Sequence, residues 1–303
     1  MSHFRELIVE CEEHIPEVLR LFRDNCLNLR EVYCFLEENT AQMYQQFGPL
    51  VTQIDCYELS DTVVDITSGQ LLANNLKAFK FYNYYAEERQ LLSAFVAHNQ
   101  CLKSLDIKNI NDDLNATLPE LAVQLSRLTQ LRRLRLALDL MNDISLTDFL
   151  RTIGVNCKQL QRLALRFYSN PLISNVKALD SLRYYCRLKR LDLILYEAFD
   201  EKVLEPLRHC KRLTHLELDL LRMTANVLKD LHQYLFIRDF YSIIDTECLS
   251  HISRLPALQM LVIGFENCGA ETQDLSGNDY SDLLSRSPKL KNITINGQKS
   301  YCR

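Results

Sequence analysis

The 303-residue sequence predicts an α/β solenoid of about 12 repeats, with parallel strands on the concave face and helices on the convex face of a curved horseshoe. Three observations predict it. An apolar-x-x-apolar-x-apolar triplet recurs at even spacing from one end of the chain to the other. The stretches between triplets carry helical periodicity. Gly and Pro number only 7 each, so long flexible linkers that would interrupt the array are not expected.

The triplet is clearest in 156–167, NCKQLQRLALRF, where Cys157 is followed by Leu160, Leu163 and Leu165. Steps of two suit a strand and steps of three suit a turn or bend, so neither helix nor strand alone accounts for the mixture. The same pattern returns at Leu102-Leu105-Ile107, Leu131-Leu134-Leu136, Leu188-Leu191-Leu193, Leu213-Leu216-Leu218, Leu258-Leu261-Ile263 and Leu290-Ile293-Ile295. Weaker versions are Phe4-Leu7-Val9, Leu29-Val32-Cys34, Val51-Ile54-Cys56 and Leu76-Phe79-Phe81. One unit is degraded: Ile237 and Phe240 fill two slots but Ser242 holds the third. The starts run from Phe4 to Leu290 at a mean period of 26 residues. Scattered strands of a mixed α/β domain would not space their triplets so evenly.

Between triplets the period changes. In 145–156, SLTDFLRTIGVN, Leu146, Phe149, Leu150 and Ile153 share one helical face, and Ser145 with Asp148 resembles a capping box. Thr117-Leu-Pro-Glu120 is expected to open another helix, with Pro119 near its first turn. The stretches 200–209, 226–234 and 246–255 behave alike. Each repeat is therefore a strand, a turn and a helix. Strands pair about 4.8 Å apart while helices are about 10 Å across, so a stack of such units must curve with the strands inside. No repeat can bury its apolar face alone, and stability comes from stacking.

This pattern resembles a leucine-rich repeat protein over nearly the whole chain. The helix-bearing repeats, and Cys26, Cys157 and Cys210 three residues before the first leucine, are similar to the cysteine-containing repeats of F-box/leucine-rich-repeat proteins. The sequence departs from that pattern in two ways. The Asn or Cys that the family places after the third apolar slot is replaced by Ile110, Asp139, Tyr168, Tyr196, Leu221 and Glu266. No F-box precedes the first triplet, so the chain is expected to be a fragment or isoform of a longer protein, or to have its first strand edge covered by a partner. A single leucine-rich repeat domain, 1–303, is expected.

Composition excludes several classes. Apolar residues make up 47% and charged residues 24%, with a formal net charge of −4, which gives no support to wholesale nucleic-acid or membrane binding. No apolar run is long enough to span a bilayer, and the charged N-terminus is unlike a secretory signal. The 11 cysteines contain no C-x-x-C and read as reduced thiols of a cytoplasmic or nuclear protein. No metal, cofactor or catalytic motif is found. Cys210 with His215 is read as a buried thiol beside a histidine, and Cys248 with His251 supplies two ligands, too few for a zinc site.

In each triplet the residues between and beside the last two apolar slots face outward on the sheet. Those columns place Lys80, Lys108, Arg133, Arg135, Arg162, Arg166 and Arg190 on a cationic stripe across adjacent strands, and these cations with Tyr82 are the candidate partner-binding residues. Like charges one strand apart repel, so either an acidic protein segment offsets them or they are a solvated face. Tyr33, Phe35, Tyr57 and Tyr82 stand beside the stripe as contact candidates. The reading is a protein-binding module, not an enzyme. The resemblance implies substrate recognition for an SCF ubiquitin ligase. RNA binding through the basic patch and a ribonuclease-inhibitor-like scaffold are the alternatives.

Overall fold

The computed structural model describes residues 6–9, 20–21, 24–25, 31–36, 51–58, 76–83, 89–110, 114–138, 143–167, 176–195, 204–220, 225–229, 233, 237, 239–244, 248–265, 283–295 and 298–302. The chain forms two compact units, Met1–Leu138 with Asn156–Leu160, and Asp139–Val155 with Gln161–Arg303.

The first unit is a parallel sheet in chain order: β1 (Glu6–Val9), β2 (Glu31–Leu36), β3 (Val51–Glu58), β4 (Ala78–Asn83), β5 (Ser104–Ile110) and β6 (Arg133–Leu138). Helices α1 (Arg89–His98) and α2 (Leu114–Ser126) lie between its last strands in sequence. The triplets are its core. Phe79 pairs with Leu105 and Leu105 with Leu134, and all three are at most 1% exposed. Burial of each such side chain contributes about 1.5–3 kcal/mol. Phe95 of α1 packs on Phe79, ring centroids 4.5 Å apart, so the helix covers the triplet side and leaves the other side of the sheet open.

The second unit repeats the plan. It contains α3 (Asp143–Asn156) up to Val155. It continues with β7 (Arg162–Phe167), β8 (Arg190–Leu195), β9 (His215–Leu220), β10 (Asp239–Ile244), β11 (Met260–Phe265) and β12 (Asn292–Ile295), all parallel. Leu163, Leu191, Leu216, Phe240, Leu261 and Ile293 line up in register and are fully buried. The degraded repeat keeps its rung, because β10 is paired on both sides. A final strand, β13 (Gln298–Cys302), joins β12 antiparallel.

One turn is reused throughout. The N–H of Leu102, Leu131 and Leu160 donates to the carbonyl three residues earlier, as does that of Leu188, Leu213, Leu258 and Leu290 in the second unit. Before β4, β5, β7, β8 and β11 the preceding carbonyl accepts from two amides of the next repeat. Lys103 and Ser104 donate to the Lys77 carbonyl (2.8 and 3.0 Å), and Arg132 and Arg133 to that of Lys103 (2.8 and 3.0 Å). In the second unit Lys189 and Arg190 donate to Gln161, and Thr214 and His215 to Lys189.

In five repeats the side chain three before the first leucine ties the turn to the preceding repeat, while Leu128 and Leu255 hold that place as buried apolar residues. Asn99 is fully buried, accepts from the Leu76 N–H at 2.9 Å and donates to the Phe95 carbonyl at 2.9 Å. The Cys157 thiol contacts the Leu125 and Leu128 carbonyls, both at 3.5 Å. In the second unit Tyr185 donates to the Leu150 carbonyl at 2.7 Å, Cys210 contacts the Leu182 carbonyl at 3.7 Å, and Ser287 donates to the Ser253 carbonyl at 3.0 Å. The loops in which the family's usual Asn is replaced lie mostly outside the described residues. Cys26 lies outside the described residues.

The helices differ from expectation in extent. α2 starts at Leu114, so Pro119 lies inside it rather than near its first turn. α3 starts two residues before Ser145, and Leu146, Phe149, Leu150 and Ile153 are buried as the periodicity requires. Elsewhere in the second unit the described segments include 3-10 helices, Val176–Tyr184 and Glu205–His209, the short α4 (Ala225–Leu228) and α5 (Leu249–Ile252), and helical residues at 283–286. At Gly154 an added Cβ would sit 2.7 Å from the Tyr185 ring, so only glycine lets α3 approach the 3-10 segment this closely.

Burial pushes the thiols of Cys157 and Cys210 up to about 12, so neither forms a thiolate near neutrality. Cys186 is exposed. Brief alkylation of the native protein at about pH 8, read by peptide mass spectrometry, should label Cys186 and spare Cys157, Cys210 and Cys248 until denaturant is added. Native labelling of Cys157 would contradict the packing.

Candidate functional site

The open face of the first unit is built from the columns that alternate with the buried triplets. Across β3 to β6 the register sets Asp55 beside Lys80, Lys80 beside Asp106, and Asp106 beside Arg135. Charge therefore alternates from strand to strand. Lys80 Nζ lies 2.6 Å from Asp55 Oδ2, and Arg135 Nη1 lies 3.7 Å from Asp106 Oδ2. Burial would lower the pKa of the Lys80 ammonium, but the hydrogen bond and charge of Asp55 outweigh it and leave the value raised. Burial raises Asp106, with Arg135 and Lys108 pulling the other way. Asp55 Oδ1 and Asp106 Oδ1 are buried and accept no hydrogen bond.

Tyr82 sits between two ammonium groups, with Lys108 Nζ 4.3 Å and Lys80 Nζ 5.1 Å from its ring centroid. Hydrogen bonding by Lys108 lowers the phenol's pKa, and Lys80 adds to that effect. Such cation–π contacts are worth about 0.5–1 kcal/mol where exposed. Arg133 opens β6 in an exposed position and makes no ion pair among the described residues. Lys80, Tyr82 and Lys108 are thus brought together, with Arg133 and Arg135 on the same face.

In the second unit Arg162, Arg166 and Arg190 are half-buried on the open face. Arg162 and Arg190 are cross-strand neighbours, and Asp192 lies between them. Arg162 donates from Nε (3.1 Å) and Nη2 (2.8 Å) to Asp192 Oδ2. Arg190 donates from Nε to Asp192 Oδ1 at 2.7 Å and from Nη2 to Glu217 Oε2 at 2.8 Å. Asp192 is only 3% exposed because the two guanidinium groups cover it. Burial would lower Arg190, but Asp192 and Glu217 raise it. Its guanidinium carbon lies 5.8 Å from the Tyr241 ring centroid. Next to it His215 Nε2 contacts Asp239 Oδ2 at 2.6 Å, with Thr214 Oγ1 on its Nδ1 at 2.8 Å.

The stripe is therefore not a bare run of like charge. Asp55, Asp106, Asp192 and Glu217, which occupy the same outward columns, supply the offset within the chain. Their signal was present in the sequence, but counting only Lys and Arg hides it. The aromatic candidates Tyr33, Phe35 and Tyr57 fall on side chains outside the described residues.

His215 is held by Thr214 and Asp239, and Cys210 is buried. Cys248 is buried beneath α5, and burial with Arg254 nearby lowers the pKa of His251. Among the described residues no cluster of three or more His, Cys, Asp or Glu could hold a metal, and no helix is long and apolar enough to cross a membrane.

No known protein family matches the sequence, and no curated protein matches it. Solved structures do. The leucine-rich repeat-containing protein LegL7 from Legionella pneumophila superposes with a TM-score of 0.55 at 15% identity, over 94% of this chain and 98% of that one. A chain of the Drosophila Toll–Spatzle complex gives a TM-score of 0.47 at 11% identity, over 97% of this chain and 43% of that one. With the repeated turn and the in-register triplets, the likeness to LegL7 establishes the fold as an α/β leucine-rich-repeat solenoid.

Asp192→Asn leaves two guanidinium groups facing a neutral amide and should lower unfolding stability by about 2–4 kcal/mol, measured by urea denaturation. Asp106→Asn should cost less than about 1 kcal/mol at neutral pH, because Arg135 is half-exposed and burial already opposes the Asp106 charge. A raised carboxyl pKa means that the folded state holds its proton more tightly. Wild type should therefore gain on Asp106→Asn as the pH falls from neutrality through the folded pKa of Asp106.

Proposed function

We propose that this chain is a protein-binding leucine-rich-repeat module whose open face in the first unit takes an acidic segment of its partner. One observation carries the reading. Lys80, Lys108, Arg133 and Arg135 share that face with only two carboxylates among its described side chains, Asp55 and Asp106, and Arg133 is exposed with no ion pair among the described residues. Guanidinium forks suit carboxylates, and Tyr82 held between ammonium groups offers a rigid amphipathic contact. In the second unit Arg162 and Arg190 are already occupied by Asp192 and Glu217.

The resemblance to F-box/leucine-rich-repeat proteins supports a finer role. In a longer form carrying an F-box, the bound protein would be delivered as a substrate to an SCF ubiquitin ligase. Co-purification of a longer form with cullin-ligase subunits tests that role separately from binding.

The binding reading is tested by quantitative capture from cell extract. Lys108→Glu with Arg135→Glu should reduce recovery of the captured proteins about tenfold or more. Val123→Ser, an exposed change on α2, should leave recovery unchanged. Equal recovery by the double variant and wild type would remove the open face from the account.

A further inference from the structure

The turns that lead into the strands have a property that the face does not share. In the first unit they read NQCLK (99–103), RLTQLR (127–132) and CKQL (157–160), and in the second YCRLK, CKRLT, SRLPALQ and SPKLK. Each carries Lys or Arg, and all 39 acidic residues of the chain lie outside them. On the face Lys80, Arg135, Arg162 and Arg190 each have a carboxylate beside them. Along this edge none of the turns provides one.

Backbone geometry lines the cations up. Lys77, Lys103 and Arg132 immediately precede β4, β5 and β6. The Lys77 amide donates to the Thr52 carbonyl, that of Lys103 to Lys77, and that of Arg132 to Lys103, each at 2.8 Å. The three side chains therefore stand one rung apart, at about 4.8 Å spacing. All three are exposed, and Lys103 and Arg132 make no ion pair among the described residues. Like charges held at that spacing repel, and the turn sequences 99–103 and 127–132 contain no carboxylate beside Lys103 and Arg132.

We infer that the edge formed by Lys77, Lys103 and Arg132 is a docking ledge for an extended acidic polypeptide segment. This rests on, and deepens, the reading of the open face as a protein-binding surface. Three rungs span about 10 Å, the length of three to four extended residues at about 3.3 Å each. A run of Glu or Asp of that length presents its carboxylates within reach of flexible Lys and Arg side chains. Arg132 leads directly into Arg133, so a segment lying on the ledge continues onto the open face beside Arg135. Nucleic acid fits less well. The turn residues 99–103 and 127–132 include no aromatic ring on which a base could stack, and the net charge of −4 opposes a dense polyphosphate.

The test is fluorescence anisotropy on the full chain with two probes, a labelled peptide of eight glutamates flanked by Gly-Ser and a 20-nucleotide single-stranded RNA, each at low and physiological salt. The ledge variant is Lys77→Gln with Lys103→Gln and Arg132→Gln, and the face variant is Lys108→Glu with Arg135→Glu. Wild type is expected to bind the peptide at low salt, and the ledge variant to bind it about tenfold more weakly with an unchanged melting temperature. Undiminished peptide binding by the ledge variant, with loss in the face variant, overturns the ledge and leaves the open face standing. Undiminished binding in both variants, or no binding by wild type at low salt, overturns both. RNA bound more tightly than the peptide, and lost in the ledge variant, overturns the choice of polypeptide.

Discussion

Strand register is the constraint on which the rest depends. A parallel pair is held by slanted hydrogen bonds alone, and a slip of one residue would exchange the buried and open columns. The chain prevents this with the three-residue turn before β5 to β9, β11 and β12. The same carbonyl accepts two amides from the following repeat, at Lys77 and Lys103 in the first unit and at Gln161 and Lys189 in the second. Once those bonds form, Leu105 must face Leu134 and Leu191 must face Leu216. The buried triplets then add their apolar contribution along an axis already fixed.

That same register decides the electrostatics. Because outward columns are aligned strand to strand, each charge has a defined neighbour: sign alternates across β3 to β6, while in the second unit the neighbouring Arg162 and Arg190 share one carboxylate. Asp192 answers two arginines at once, and Glu217 takes the remaining edge of Arg190. These carboxylates make the open face a set of mostly satisfied pairs instead of a repelling strip. Charge that survives pairing sits where the columns run out of acids, at Arg133 and along the turns.

Much of this was legible because the triplet is periodic and covers the chain. The strands begin within the predicted triplets even where Ser242 breaks the pattern, since paired neighbours override one weak slot. The helical segments were less legible. Helical periodicity over 200–209 and 226–234 does not distinguish an α-helix from the 3-10 and single-turn pieces seen at Glu205–His209 and Ala225–Leu228, because both bury residues three apart. Pro119 was read as a first-turn residue, yet α2 begins five residues before it. β13 was missed because it belongs to no triplet, although Asn296-Gly297 is a strong two-residue hairpin signal. On the open face the cations stand out in the sequence and their pairing does not, because that pairing shows only when neighbouring strands are read together.

The antiparallel β13 bears on how such an array can change in length. Every other described rung offers its successor the polarity of its predecessor, so a duplicated repeat can slot between existing ones without altering any contact rule. β13 reverses that polarity and lies outside the period. A copy placed after it would meet the wrong hydrogen-bond phase. Lengthening by duplication is therefore directed to the parallel part of the array, with β12 and β13 kept as a pair.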